Sequence, residues 1–114
     1  MIIAIVLGAF FKHSMKDLLT LEQIESFDTG IRYQMIHSLA LICLGFNSSK
    51  IKIHKMISNL FIIGIILFSF SIYFLSLKEF IGFSIDFIWP LTPVGGLILI
   101  VSWLILLLTL NYKK

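Results

Sequence analysis

Polar positions in this chain fall in clusters, and four apolar runs lie between them. The first covers Met1 to Phe11, and the second covers Ile31 to Phe46, apolar except near its start. The third runs from Ile57 to Leu77 and the fourth from Val94 to Leu110, neither with a charged residue. A helix needs about 20 residues to cross a bilayer's hydrocarbon, within a range of roughly 17–25. The third and fourth runs meet that length. The second meets it when its helix starts upstream, and Leu21 to Gly30 supplies the extension. There Leu21, Ile24, Phe27 and Ile31 recur at helical spacing, while Glu22, Glu25 and Asp28 take the other face. Thr20 and Gln23 fit a capping box at its start. Such a segment either lies on the membrane surface or runs straight into the second crossing.

The first run spans only about 16 Å at 1.5 Å per residue. It is either a short helix that thins the bilayer locally or part of a longer one whose start codon was assigned too late. A signal peptide fits poorly, because no basic segment precedes the run and no Ala-x-Ala-like site follows. The fourth helix is expected to be capped by Thr92, with Pro93 in its first turn and Pro90 keeping the approach extended. Asn111, Tyr112, Lys113 and Lys114 close it with a wet aromatic and two cations. The pattern therefore predicts an all-α membrane protein: one integral domain over residues 1–114, a bundle of four transmembrane helices at about 1–14 (short), 21–46, 56–78 and 93–112.

Composition agrees. Hydrophobic residues make up 59% of 114 residues and charged residues 13%, against ~45–50% and ~25% in soluble domains. A soluble domain this small has too much surface to hide so much apolar mass. The net charge is +3, but the charges sit between the apolar runs rather than along one face, which excludes a nucleic-acid partner. The single cysteine, Cys43, permits no disulfide within the chain and reads as a small apolar residue before it reads as a reactive thiol.

With four crossings, one side carries Lys50, Lys52, Lys55, Lys113 and Lys114 and no acid. The other carries Lys12, Lys16, Arg32 and Lys78 together with Asp17, Glu22, Glu25, Asp28, Glu79 and Asp86. Basic residues in short loops mark the cytoplasmic side, so both termini are expected there, in the plasma or inner membrane of the cell.

Candidate chemistry concentrates in Arg32-Tyr33-Gln34-Met35-Ile36-His37-Ser38. Strong hydrogen-bonding groups in hydrocarbon need partners and usually face the bundle interior. Tyr33, Gln34 and His37 share a helix face by spacing. Arg32, the only arginine, is a fork-shaped donor suited to Glu25, Asp28 or a lipid phosphate. His13 could meet His37 across the first two helices. The cluster His13, Arg32, Tyr33, Gln34 and His37 reads either as interhelical glue or as a ligand, proton or ion site. Two histidines without further ligands make a poor metal site, so no metal and no cofactor is expected. Gly64 with Ser71, and Gly95 with Ser102, stand seven apart on single faces; with Pro93 and Gly96 they mark close helix packing. No phosphate-binding loop, nucleophile elbow, zinc-protease motif or dinucleotide fingerprint occurs.

Three blocks resemble a known family. They are Leu7-Gly8-Ala9-Phe10 followed by His13; Phe27 with Arg32-Tyr33-Gln34-Met35-x-His37-x-Leu39-Ala40-Leu41; and Leu91-Thr92-Pro93-Val94-Gly95-Gly96 followed by Trp103. Phe68-Ser69-x-Ser71-x-Tyr73 fits as well. The chain is similar to the YgdD-like family of small bacterial inner-membrane proteins, a family of unknown function with related small eukaryotic membrane proteins. The resemblance implies four membrane helices and a plasma-membrane location, and it implies no activity. Members carry a longer apolar stretch before G-A-F, and Phe11 and Lys12 stand here in place of small residues.

The expectation is a non-enzymatic accessory or envelope component whose partners are the bilayer and either further copies of itself or another membrane protein. The alternative is a small oligomeric transporter or channel built around Arg32, Gln34 and His37. A membrane enzyme or cofactor carrier using His13 and His37 comes third.

Overall fold

The computed structural model describes residues 1–78 and 86–112. Glu79, Lys113 and Lys114, used above to assign sides, lie outside the described residues. Among those described, all regular structure is helical, in four long helices and a 3-10 turn at Asp86–Ile88: α1 (Ile2–Met15), α2 (Leu21–Phe46), α3 (His54–Ser76) and α4 (Leu91–Tyr112). The amphipathic segment before the second crossing is the first part of α2, so the two form one continuous helix. Thr20 and Gln23 start it with a reciprocal cap: the Thr20 hydroxyl accepts from the Gln23 N–H at 3.2 Å, and the Gln23 side chain accepts from the Thr20 N–H at 2.9 Å. Asn47 ends it, donating from its side-chain amide to the Cys43 carbonyl.

Consecutive helices run antiparallel. Phe11 of α1 stacks on Phe27 of α2 with centroids 4.0 Å apart, while Met1 lies beside Ser38. Phe27, Tyr73 and Phe70 continue this aromatic contact into α3. One apolar core holds Ala4, Phe11, Phe27, Ile31 and Tyr73; the other holds Leu44, Ile51, Ile57, Phe61, Ile65 and Leu99. α3 is not regular throughout: residues Ile66–Phe70 form a π-helical turn, and a second such turn, Phe11–Met15, closes α1. A π-turn inserts an extra residue and pushes backbone outward. In α3 the bulge faces α4 at Gly95, where a Cβ would lie 2.5 Å from the Phe68 nitrogen. Gly64 makes room for Leu99 in the same interface, a Cβ there falling 2.6 Å from Leu99 Cδ2.

One expectation about α4 is corrected. The helix starts at Leu91, so Thr92 is inside the first turn and does not cap it. Its hydroxyl bonds Ser71 instead, and Pro93 occupies one of the first positions, where a missing N–H costs nothing.

α3 and α4 are long and apolar enough to cross a membrane, with mean hydropathy 2.1 and 2.4. A core helix of a soluble protein would be mostly covered. In their most apolar stretches only 39% of α3 and 17% of α4 is buried. Leu97, Ile100, Leu104 and Leu108 point away from the bundle. An outer surface of this kind suits lipid as the solvent.

The close approach at Gly95 gives a direct test. Gly95→Val forces its side chain into the Phe68 backbone and is expected to cost about 1–3 kcal/mol. Gly96→Ala, whose Cβ would sit 3.6 Å from the Phe68 ring, is expected to cost nothing. Thermal unfolding of both variants in mild detergent checks the contrast.

Candidate functional site

Several buried polar side chains form interhelical pairs along the middle of the bundle. Gln34 of α2 and Tyr73 of α3 are both buried, and the Tyr73 hydroxyl donates to Gln34 Oε1 at 2.6 Å. One turn away, Ser69 donates to the Gly30 carbonyl at 2.9 Å across the same interface. Gly30 permits this approach, since a Cβ there would lie 2.7 Å from the Tyr73 ring. The π-turn in α3 carries Ser69, which is fully buried.

His37 joins α2 to α4. Trp103 Nε1 donates to His37 Nε2 at 3.0 Å, and His37 Nδ1 lies 2.6 Å from the Tyr33 carbonyl oxygen. These partners fix the tautomer. An indole N–H can only donate, so Nε2 is bare; a carbonyl can only accept, so Nδ1 carries the proton. The arrangement uses the neutral imidazole. Phe61 of α3 completes the pocket, with its ring 5.7 Å from His37 and 5.1 Å from Trp103. Tyr33 leans on Phe68, 4.7 Å between rings.

A third link joins α3 to α4. Ser71 donates to the Phe68 carbonyl at 2.8 Å, so its single proton is used, and Thr92 donates to Ser71 Oγ at 2.6 Å. Ser102, fully buried, returns its proton to the Ile98 carbonyl. Among the described residues, every buried side-chain nitrogen and oxygen has a hydrogen-bond partner.

The sequence-predicted residues therefore separate. Gln34 and His37 face the interior, and Tyr33 contributes its carbonyl and ring from a partly exposed position. Arg32 turns outward with its side chain 70% exposed, and pairs with Asp28 one turn earlier at 2.5 Å. His13 is exposed on the π-turn of α1, near the level of Phe27. It stands about 15 Å along α2 from His37, so the two histidines do not face each other. Gly64, Ser71, Gly95 and Ser102 are buried between helices, Gly96 is in ordinary contact with Phe68, and Pro93 is exposed. Among the described residues, no group of three His, Cys, Asp or Glu is placed to hold a metal ion. Sequence reasoning left out Tyr73 and Trp103 as partners and Gly30 as the close approach. Trp103's depth inside an apolar run was the available signal, because a buried indole N–H needs an acceptor.

Comparison with known proteins shows the family. The profile of the family described as "Protein of unknown function (DUF423)" matches residues 7–96. A UPF0382 membrane protein of Haemophilus influenzae is 31% identical over 101 residues, covering 88% of this chain and 77% of the relative. A UPF0382 membrane protein of Staphylococcus saprophyticus is 33% identical over 106 residues, covering 92% and 84%. The UPF0382 inner membrane protein YgdD of Escherichia coli is 32% identical over 108 residues, covering 92% and 78%. No solved structure matches the chain.

Proposed function

This chain belongs to the DUF423 family, whose relatives are named membrane proteins, and on that premise we propose that it is a multi-pass accessory or envelope component with no catalysis of its own. The observation that supports this reading is the closure of the polar network. Gln34 Oε1, His37, Ser69, Ser71 and Ser102 each have a hydrogen-bond partner inside the bundle. A general acid, base or nucleophile needs a polar group turned toward a substrate, and these are engaged with other side chains or with backbone carbonyls of the bundle. They act as glue between helices. The transporter or channel reading has less support. Arg32 points outward to Asp28, so the cluster it needs is divided between two sides of α2.

The same proposal sets all four helices in the cell membrane, α1 as the short crossing, with both termini on the cytoplasmic side. The antiparallel order puts Lys50, Lys52 and Lys55 at one end, and Asp17, Glu22, Glu25 and Asp28 at the other. Counted along the sequence with Lys113 and Lys114, the acid-free end has five basic residues against Lys12, Lys16, Arg32 and Lys78 at the other, and the positive-inside rule assigns it to the cytoplasm.

Native mass spectrometry of the protein released from its own membrane is expected to show lipid adducts and no other small molecule. A reproducible non-lipid mass, lost in His37→Ala, would make the cluster a binding site and contradict the reading. For the topology, Cys43→Ser supplies a cysteine-free background. A membrane-impermeant maleimide applied to intact cells is expected to label Ser14→Cys and to spare Ser49→Cys. The reverse pattern would invert the assignment.

A further inference from the structure

Beyond the His37–Trp103 bond, toward the Asn47 end, α2 and α4 enclose a groove of about 610 Å³. Its walls are Leu39 and Cys43 on α2 and Leu106 and Leu110 on α4, with Trp103 at the inner end. Side chains of this bundle do not fill it. Close packing is the rule inside proteins, and an unfilled apolar space loses contacts on one side.

The groove has a length and a polarity. From Ile36 to Asn47 it follows α2 for about 16 Å, roughly half of the ~30 Å hydrocarbon thickness, or one leaflet. The walls are apolar along that depth, and Asn47 and Lys50 stand at the mouth. Lys52 and Lys55 are exposed at the same end. The acids of α2, Glu22, Glu25 and Asp28, lie at the opposite end of that helix. The space is thus one leaflet deep, apolar inside and cationic at its rim.

We propose that this groove is a lipid site: it holds an acyl chain of one anionic phospholipid from the leaflet at the lysine end, with the headgroup phosphate at Lys50. The proposal rests on the bundle lying in the membrane. The positive rim selects anionic over zwitterionic headgroups, since lysines at a membrane surface attract the former. Trp103 is 42% exposed and lines the groove floor, so its fluorescence reports the occupant.

The test uses the full chain with Trp89→Phe, which leaves Trp103 as the single tryptophan. The protein is reconstituted into vesicles mixing phosphatidylglycerol and phosphatidylcholine, with bromine on the chains of one lipid or the other. Brominated phosphatidylglycerol is expected to quench Trp103 well beyond its mole fraction. Lys50→Gln is expected to lower that preference about fivefold, while quenching in pure brominated phosphatidylcholine stays unchanged, which shows an intact bundle. Quenching that follows mole fraction whatever the headgroup would mean bulk lipid and overturn the proposal. So would weak quenching by either lipid, which would mean that protein, such as a second copy, covers the groove. Failure to float with vesicles would overturn the membrane placement itself, and flotation separates that case from the others.

Discussion

Hydrocarbon offers no hydrogen-bond partner, and a polar side chain left alone in it costs several kcal/mol. With the bundle in the membrane, as proposed above, that constraint organises it. Gln34 with Tyr73 and Ser69 with the Gly30 carbonyl tie α2 to α3; His37 with Trp103 ties α2 to α4; Thr92 with Ser71 ties α4 to α3. Each interhelical bond is worth about 0.6 kcal/mol on average. Their larger effect is on register. Sliding one helix by a residue moves it ~1.5 Å, enough to break the bonds and leave both partners unpaired. The penalty for a wrong arrangement exceeds the gain from the right one.

Close approach is the condition for these bonds. Gly30, Gly64 and Gly95 remove the side chains that would hold the helices apart. The π-turn at Ile66–Phe70 moves α3 backbone toward Gly95 and carries Ser69 to its acceptor. Sequence-local cost is thereby exchanged for tertiary fit: glycine is a weak helix former, and a π-turn gives up regular bonding, but both sit where helices meet. Away from that seam the surface turns apolar, which suits lipid.

Much of this was legible in the sequence, for physical reasons. Charge-free runs marked α3 and α4 because a length of apolar helix has few other uses. The start of α2 was written in Thr20 and Gln23, whose bonds are local. Gly64 and Gly95 stood out by spacing. The polar cluster was legible only in part. Gln34 and His37 lie three apart and share a face, whereas Arg32 lies two before Gln34 and points elsewhere. Helix geometry alone could have separated them. The partners Tyr73 and Trp103 stand 39 and 66 positions from Gln34 and His37, and no local rule reaches that far. The π-turn was hidden too, because Ile66-Leu67-Phe68-Ser69-Phe70 carries no breaker. Thr92 was assigned to a cap by its proximity to Pro93, while its hydroxyl was needed by Ser71.

Polar groups engaged within the bundle leave little for chemistry, and this supports the accessory role proposed above. The central claim is that His37 is a structural link held neutral between Trp103 and the Tyr33 carbonyl. Nitrogen-15 solid-state NMR of the imidazole in lipid bilayers, assigned with His37→Gln, measures this most directly. The account predicts a neutral ring with the proton on Nδ1 and an unprotonated Nε2 accepting a hydrogen bond. An imidazolium at neutral pH, or a proton on Nε2, would contradict it, since neither can accept from Trp103.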